Sequence, residues 1–434
     1  MRGGRIFMRS EEVKEQILGG RLDEKLGSLY RGGKTVRQAR ERIAGAVERF
    51  ENLYGKDREV AIFSAPGRTE IGGNHTDHQG GKVLAAGINL DVIAVASPSG
   101  DGRIRIKSEG FPEDALDSQD LARRDSECGK SLSLIRGICG GFSELGCGVG
   151  GFDAYTASDV LPGSGLSSSA AFEVVVGTAV NNLFFNGKVP ALKIAQIGQY
   201  AENRYFGKPS GLMDQAASAY GGFTAFDFHD LKNVGVRQIN YDFETSGCAL
   251  CIIDTGGSHC DLTPDYAAIP AEMRSAAACF GEKVLSEVKE SEFYARLPEV
   301  REKAGDRAVL RAIHYFADNS RVTREADALS AGRFDEFLRL ITESGLSSFL
   351  YLQNVYPTEH PGRQGLSIAL ALCQRLLENR GGAWRVHGGG FAGTVLCFVP
   401  LGLLGEFTSE MEKVFGTGAC RRLFVRPDGG IRLI

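Results

Sequence analysis

The chain has 434 residues, too many for one ordinary hydrophobic core, so we first expect two domains. Its 50 lysines and arginines and 54 aspartates and glutamates give a net charge of −4, with no block of like charge. This balance argues against a nucleic-acid groove or a membrane-surface patch, and we expect neither partner.

The beginning of the chain carries no apolar signal core, because Met1–Arg5 leads into the charged segment Glu11–Glu15. No apolar run elsewhere is long enough to span a bilayer. The 10 cysteines are scattered, which indicates free thiols in a reducing compartment. We therefore expect a cytoplasmic protein.

Helical and strand patterns alternate along the chain. Thr35 and Gln38 have the spacing of a capping box, and an amphipathic helix follows until Gly55. A short strand, Val60–Phe63, leads into a glycine-rich loop, Ala65–Gly81. Apolar, β-branched runs predict further strands at 83–96, 104–106, 152–156, 223–228, 249–254 and 395–399. Helical spacing predicts helices at 11–30, 132–144, 172–183, 190–207, 216–220 and 365–380 and a long helical region at 266–346.

The stretch Leu161–Glu173 combines small residues with an apolar run that has helical spacing. It predicts a loop that leads into a helix N-terminus, where unpaired N–H groups and partial positive charge suit a phosphate. A serine-capped helix after a flexible turn is the simpler alternative.

Cys248 and Cys251, with His259 and Cys260 downstream, have the outline of a zinc site. The two cysteines lie in an apolar strand pattern, on which positions three apart face opposite sides of the sheet. The pattern therefore favours buried cysteines that pack as small hydrophobic residues.

Other common motifs either lack a required residue or are not followed by the secondary structure that they require. Gly388–Gly393 matches G-x-G-x-x-G, but the residues after it continue as a strand, which favours a glycine-lined hairpin over a nicotinamide dinucleotide site. Gly129–Ser131 lacks the first glycine of a P-loop, since Arg124 stands there. The chain also has no G-x-S-x-G nucleophile elbow.

Three separated motifs, together with Gly211–Gln215, resemble those of the sugar kinases of the GHMP superfamily, and among them the galactokinase family. We call them the first motif (Gly67–Gly81), the second motif (Pro162–Ala170) and the third motif (His387–Thr394). The resemblance covers residues 35–434 in order and spacing, which is far more specific than one glycine pattern.

The resemblance implies an α+β protein with the two-domain GHMP kinase fold. Its N-terminal domain is then ribosomal protein S5 domain 2-like and its C-terminal domain ferredoxin-like, with the active site in the cleft between them. The expected division is an extension at residues 1–34, a nucleotide- and sugar-binding domain at 35–235 and a C-terminal domain at 236–434.

The resemblance also implies ATP-dependent phosphorylation of galactose at its anomeric hydroxyl, with ATP and Mg²⁺ as cofactors. Asp214 would accept the proton of that hydroxyl, and Arg68 would keep Asp214 ionised and stabilise the moving phosphoryl group. Ser169 and Glu202 would hold the metal ion. The loop that binds the triphosphate would comprise Gly163, Ser164, Gly165, Leu166, Ser167, Ser168 and Ser169.

The predicted sugar-binding residues are Asn74, His75, Thr76, Asp77, Gly211 and Tyr266. The first motif departs from the usual family pattern G-R-x-N-L-I-G-E-H-T-D-Y-N, since Glu70 replaces Asn, Gly72 replaces Ile and Asn74 replaces Glu. These changes keep two alternatives open: a kinase for another sugar or sugar derivative, and a sensor that binds sugar and ATP without turnover. The sequence does not determine the oligomeric state, and a monomer is the simplest expectation.

Overall fold

A computed structural model describes residues 7–32, 34–146, 148–160, 165–257 and 262–434. Within these ranges, two β-sheets of nine and four strands organise the chain. Helices cover both sheets, as expected for the GHMP kinase fold.

The first sheet has the strand order β1-β2-β3-β6-β4-β5, with β13 paired to β2 and the hairpin β7-β8 paired to β3. Its strands are β1 (Met8–Arg9), β2 (Glu59–Gly72), β3 (Lys82–Pro98), β4 (Arg103–Ser108), β5 (Glu113–Asp117), β6 (Phe152–Ser158), β7 (Phe223–Asp227), β8 (Gly235–Ile239) and β13 (Ile431–Arg432). The second sheet is antiparallel, with the order β10-β11-β9-β12. Its strands are β9 (Cys248–Asp254), β10 (Ala383–Val386), β11 (Thr394–Pro400) and β12 (Cys420–Leu423).

Along the chain, the helices alternate, singly or in runs, with the strands of the two sheets. They are α1 (Ser10–Leu18), α2 (Asp23–Leu29), α3 (Val36–Tyr54), α4 (Ser131–Ser143), α5 (Ser168–Phe184), α6 (Ala191–Tyr200), α7 (Met213–Tyr220), α8 (Thr263–Ala278), α9 (Glu290–Ala295), α10 (Leu297–Ala304), α11 (Asp306–Ser330), α12 (Phe334–Ser347), α13 (Gly365–Leu377) and α14 (Leu404–Phe415). A π-helical segment, Ala201–Phe206, continues α6, and another, Ser348–Leu352, continues α12.

The capping box predicts the start of α3 correctly. The Thr35 hydroxyl accepts the N–H of Gln38, the Gln38 side chain accepts the Thr35 N–H, and the helix ends before Gly55. The apolar face of α3 packs on the outer face of β2 and β3, together with α1 and α2. The predicted N-terminal extension contributes α1 and α2 to this cluster, so it forms two helices where the sequence predicts one.

The first motif is not the loop that its glycines suggest. Strand β2 continues through Gly72, and only Gly73–Gly81 turns before β3 begins. The pairing of β2 with β3 is interrupted between Pro66 and Arg68 and again between Glu70 and Gly72. Such bulges bend a strand and redirect its side chains, and here they flank Arg68.

The hairpin predicted around the third motif is present, since β10 and β11 are antiparallel and Val386 pairs with Val395. The strand predicted at Cys248–Asp254 is also present, whereas His259 and Cys260 lie outside the described residues. Strands β5 and β8 were not predicted, because their sequences are short and polar.

The chain passes from one sheet to the other between β8 and β9. The expected division at residues 235 and 236 falls inside β8, so we propose that the first domain extends to the end of this strand. The C-terminus returns to the first sheet, where β13 pairs with β2.

One large apolar cluster joins the two sheets. It includes Phe63 and Val175 from the first domain, Leu396 and Phe398 from β11, and Ile341 from α12. Burial on this scale packs the two sheets against a common core. Among the described residues, no helix is long and apolar enough to span a membrane.

Candidate active site

The second motif leads into the N-terminus of α5, as the sequence predicts. Gly165 and Ser167 both adopt positive φ, at 73° and 61°, and the helix begins at Ser168. In the part of the motif that the structure describes, Ser167 precedes the helix without capping it by its side chain. The first N–H groups of α5 are thus available to an anion.

The residues predicted for this loop differ in what they offer. Ser168 and Ser169 are partly exposed in the first turn of α5. Leu166 is 2% exposed and packs in the core, so it can offer a ligand only its backbone. Gly163 and Ser164 lie outside the described residues.

Arg68 and Asp214 form a two-point ion pair. Nε of Arg68 lies 2.8 Å from Oδ1 of Asp214, and Nη2 lies 2.9 Å from Oδ2. Nη1 of Arg68 also donates to the carbonyl of Gly165 at 2.6 Å. A bidentate guanidinium–carboxylate pair fixes both groups in orientation as well as distance. The pair therefore stands directly beside the second motif.

The Asp214 carboxyl is held ionised. Burial alone would raise its pKa, but the charge of Arg68 and the hydrogen bonds from Arg68 and Ser167 lower it below the usual value. Asp214 lies in the first turn of α7, where the helix dipole also favours a negative charge. Its side chain is 32% exposed, so a substrate can reach it.

Glu202 lies in the π-helical segment after α6 and is almost fully buried. Its Oε1 accepts Nζ of Lys208 at 2.8 Å, and its Oε2 accepts Oγ of Ser210 at 2.6 Å and Nε2 of Gln215 at 2.9 Å. Gln215 also donates to Glu173 at 2.9 Å, and so bridges two carboxyl groups.

Glu173 is one turn into α5 from Ser169. Burial, followed by the nearby charge of Glu202, raises the pKa of Glu173 well above its usual value. Over the described ranges, no three His, Cys, Asp or Glu side chains come together in a way that could hold a metal ion. A cation here would need oxygen atoms of a bound ligand besides the hydroxyl of Ser169 and the carboxylate of Glu202.

Asp77 and Gly211 lie against each other. A Cβ at position 211 would overlap the Asp77 carboxylate, so glycine permits this close approach. Oδ1 of Asp77 accepts the N–H of His78 at 2.9 Å, and Oδ2 has no hydrogen bond among the described residues. Asp77 thus presents an acceptor beside Gly211, which stands three residues before Asp214 in the chain.

His75 and Tyr266 both contact the glycines of the third motif. Nε2 of His75 lies 3.0 Å from the carbonyl of Gly389, and the Tyr266 hydroxyl donates to the carbonyl of Gly390 at 2.8 Å. Burial and the neighbouring His78 lower the pKa of His75 to about 3, so this ring is neutral at physiological pH.

The third motif joins the other two motifs through His387. Its Nε2 accepts the N–H of Glu70 at 3.3 Å and lies 3.1 Å from the Thr69 hydroxyl, so its Nδ1 carries the proton and donates to Thr394 at 2.9 Å. A Cβ on Gly165 would come within 2.7 Å of the Thr394 hydroxyl. The hairpin therefore closes one side of the second motif.

Two of the predicted sugar-binding side chains do not face open space. Asn74 is fully buried, and its amide is hydrogen-bonded to Glu70, Gly388 and Asn354. Thr76 is also fully buried, and its hydroxyl donates to backbone carbonyls at the turn into β3. Both side chains support the turn in this structure, and their part in sugar binding stays a prediction.

Gly72 leaves space that Glu325 of α11 fills. A Cβ at position 72 would overlap the Glu325 carboxylate, which is fully buried and accepts no hydrogen bond among the described residues. Burial, and then the charge of Asp318, raise the pKa of Glu325 to about 8, against the opposing effects of Arg385 and Arg321. The folded protein thus keeps a proton on this carboxyl at neutral pH.

We expect Glu325→Gln to flatten the pH dependence of stability. An acid with a raised pKa stabilises the fold fully below its unfolded pKa of 4.5 and loses this contribution as pH rises through about 8. One pKa unit corresponds to about 1.36 kcal/mol. The free energy of unfolding of the variant should therefore exceed that of the parent by a few kcal/mol at pH 8 and equal it at pH 4.5. Urea unfolding at both pH values measures this difference. Parallel stability curves for parent and variant would refute it, and Glu41→Gln, on an exposed carboxylate, is the control.

Some residues of the site had no sequence signal. Arg385 lies in an apolar strand and pairs with Glu70 at 2.7 Å, although 315 positions separate them. Lys208 stands between Glu202 and Asp214 in the sequence, and only this position hints at its contact with Glu202. Ser167 has a sequence signal as part of the second motif, but nothing in the sequence indicates that its hydroxyl donates to Asp214.

Comparison with known proteins identifies the family of the chain. The family model described as GHMP kinases N terminal domain matches residues 133–222, and the galactokinase galactose-binding signature matches residues 48–98. The first range contains the second motif and Asp214, and the second contains the first motif.

Relatives match over most of the chain. A galactokinase of Streptomyces coelicolor is 31% identical over 400 residues, which cover 90% of this chain and 99% of the relative. A galactokinase of Actinobacillus pleuropneumoniae is 31% identical over 368 residues, which cover 82% and 89%. The crystal structure of Lactococcus lactis galactokinase complexed with galactose superimposes with a TM-score of 0.76 at 25% identity, covering 90% of this chain and 99% of that one. The chain belongs to the galactokinase family of the GHMP kinases.

Proposed function

We propose that the protein transfers the γ-phosphoryl group of ATP to the anomeric hydroxyl of galactose, which gives galactose 1-phosphate and ADP. The observation that carries this proposal is the Arg68–Asp214 pair. An ionised, partly exposed carboxylate is held by a guanidinium beside a helix N-terminus that suits phosphate.

In this reaction, the anomeric oxygen attacks the γ-phosphorus and the bond to the bridging β–γ oxygen breaks. Asp214 takes the proton of the hydroxyl, and Arg68 stabilises the charge on the moving phosphoryl group. Because Arg68 lowers the pKa of Asp214, this base is intrinsically weak. Positioning and electrostatic stabilisation must then supply most of the rate enhancement.

For the nucleotide, we propose that the N–H groups at the start of α5 and the hydroxyls of Ser167 and Ser168 bind the triphosphate. Gly163, Ser164 and Gly165 would admit its oxygens to the loop. Arg68 already uses the Gly165 carbonyl and so ties this loop to the transfer site.

Mg²⁺ would be held by Ser169 and Glu202. A hydroxyl and a carboxylate, completed by phosphate oxygens, are the hard donors that Mg²⁺ prefers, so these residues fit the ion. When bound, the ion would neutralise phosphate charge. Lys208, which is 59% exposed, holds a Glu202 oxygen in this structure and can swing away to free it.

For the sugar, we propose Asp77 as the main acceptor, with His75, Tyr266 and Gly211 shaping the pocket. The neutral ring of His75 can accept a hydrogen bond from a sugar hydroxyl at Nδ1 while its Nε2 faces the carbonyl of Gly389. Fixed acceptors of this kind discriminate between epimers, because a wrong hydroxyl leaves a buried group unpaired.

ADP release measured against a panel of sugars tests the proposal. The panel contains galactose, its epimers, N-acetylgalactosamine, arabinose and uronic acids, and Asp214→Ala is the control for background hydrolysis. We expect galactose to give the highest kcat/KM and ³¹P NMR to show an anomeric phosphate. Binding of ATP and sugar without turnover of any member would overturn the proposal in favour of a sensor.

Gly211→Ala should weaken sugar binding selectively. The new methyl group would displace the Asp77 carboxylate, so we expect the KM for galactose to rise at least about tenfold, as for the loss of one charged hydrogen bond. The KM for ATP should stay within about twofold, since the loop at Gly165–Ser169 is untouched. Steady-state kinetics with each substrate varied in turn measures both, and an unchanged galactose KM would contradict the role of Asp77.

A further inference from the structure

Two positions of the first motif have exchanged residue types. The usual galactokinase pattern has Asn at the position of Glu70 and Glu at the position of Asn74. In the structure these side chains touch, since Nδ2 of Asn74 donates to Oε1 of Glu70 at 2.8 Å. Relative to the usual pattern, the carboxylate and the amide have changed places, and one hydrogen bond joins the two positions in this chain.

The carboxylate at position 70 faces the second domain. Nη2 of Arg385, on β10, donates to the same Oε1 at 2.7 Å, and both side chains are almost completely buried. Nη1 of Arg385 also donates to the carbonyl of Ile71 at 2.6 Å. Glu70 is thus held from the protein interior, away from the cleft.

The side-chain amide at position 74 also has all its hydrogen bonds within the protein interior. Nδ2 donates to the carbonyl of Gly388 at 2.6 Å as well as to Glu70, and Oδ1 accepts Nδ2 of Asn354 at 2.7 Å. The backbone of Asn74 is also held, because its N–H donates to Asp318 at 2.9 Å and its carbonyl lies 3.0 Å from Nε2 of His314. Residues of the second domain therefore surround Asn74.

We propose that Glu70 and Asn74 act as one positioning pair, which anchors the first motif to the second domain and leaves Asp77 as the motif's carboxylate for the sugar. This inference rests on the proposed function for its sugar. It deepens that function, because it assigns the determinant of sugar affinity in this motif to the pair and to Asp77, and removes Asn74 from the sugar contacts.

Charge at the two positions must then be coupled. Asn74→Asp would put a second buried carboxylate against Glu70 and remove a donor, and like charges at such a distance repel strongly. Glu70→Gln would leave the buried Arg385 guanidinium without the carboxylate that is hydrogen-bonded to it. The double substitution Glu70→Gln with Asn74→Asp restores one carboxylate and one amide across the hydrogen bond that joins the two positions.

The test compares these three isosteric variants with the parent, with Glu41→Gln as a control on an exposed carboxylate. We expect each single variant to raise the KM for galactose at least tenfold and to leave the KM for ATP within twofold. The double variant should recover part of the loss of each single variant, but not all of it, because a carboxylate at position 74 cannot donate to the Gly388 carbonyl. Additive effects, in which the double variant is worse than either single variant, would overturn the proposal.

A second measurement keeps the test independent of turnover. The same coupling should appear in the melting temperatures, where the double variant should lie above both single variants. The full exchange, Glu70→Asn with Asn74→Glu, should behave likewise. If the parent fails to phosphorylate galactose, the proposed function is wrong. The melting temperatures still test whether Glu70 and Asn74 act as one pair, because they do not depend on turnover.

Discussion

Asp214→Asn is expected to lower kcat by about 10³-fold, within the range for loss of a general base. The amide keeps the shape of the side chain and can still accept from Arg68, but it cannot take the proton of the sugar hydroxyl. Affinity for ATP should change little, because the nucleotide contacts that we propose lie on the N-terminal turn of α5. Rapid-quench measurement of the transfer step, with a separate titration of ATP, determines both quantities.

The acid limb of the pH profile gives a second measure of Asp214. Because its pKa lies below the usual value, kcat/KM of the parent should not fall on account of this group as pH drops from 8 to 6. Asp125→Asn, on an exposed carboxylate, should leave kcat unchanged and serves as the control. A variant at Asp214 with more than a tenth of parental kcat would exclude this residue as the base.

Arg68→Ala is expected to lower kcat by about 10²- to 10³-fold while ATP still binds, since its charge acts mainly in the transition state. Its removal should also raise the pKa of Asp214, because burial is then no longer opposed by the guanidinium. The acid limb of kcat/KM should consequently move towards neutral pH. Calorimetric titration with ATP and a pH series of kcat/KM measure these two effects.

Arg68→Lys separates charge from geometry. A lysine keeps the positive charge but cannot hold both oxygens of Asp214, so activity should recover only in part. Full activity of Arg68→Lys would show that the two-point geometry is unimportant. A large loss of ATP affinity with kcat intact would show that Arg68 serves nucleotide binding instead.

Local signals predicted the parts of the fold that depend on near neighbours. The capping box at Thr35 and Gln38 and the apolar spacing after it are contained within α3 and its flanking residues, so the helix could be located from sequence. The same holds for the start of α5, where small residues precede an apolar helix. In both cases the interactions that define the element join residues a few positions apart.

The first motif shows where such signals fail. Its glycines and charged residues are typical of a loop, yet β2 continues to Gly72, and Glu70 is buried. The strand can bury this side chain because Arg385 donates a hydrogen bond to it at 2.7 Å, and Glu325 fills the space at Gly72. These partners lie more than 250 positions away, and neither stands in a motif that links it to Glu70 or Gly72.

By itself, the sequence determined the family, the identity of the acid and the arginine that face each other, and the helix whose N-terminus the second motif precedes. Motif order and spacing carry that information, and the structure brings Arg68, Asp214 and Ser167 together. Only the tertiary structure decided which polar residues of the first motif face the cleft. Asp77 approaches it at Gly211, whereas Asn74 and Thr76 turn inward, because burial requires each polar group to find a partner and those partners come from distant parts of the chain.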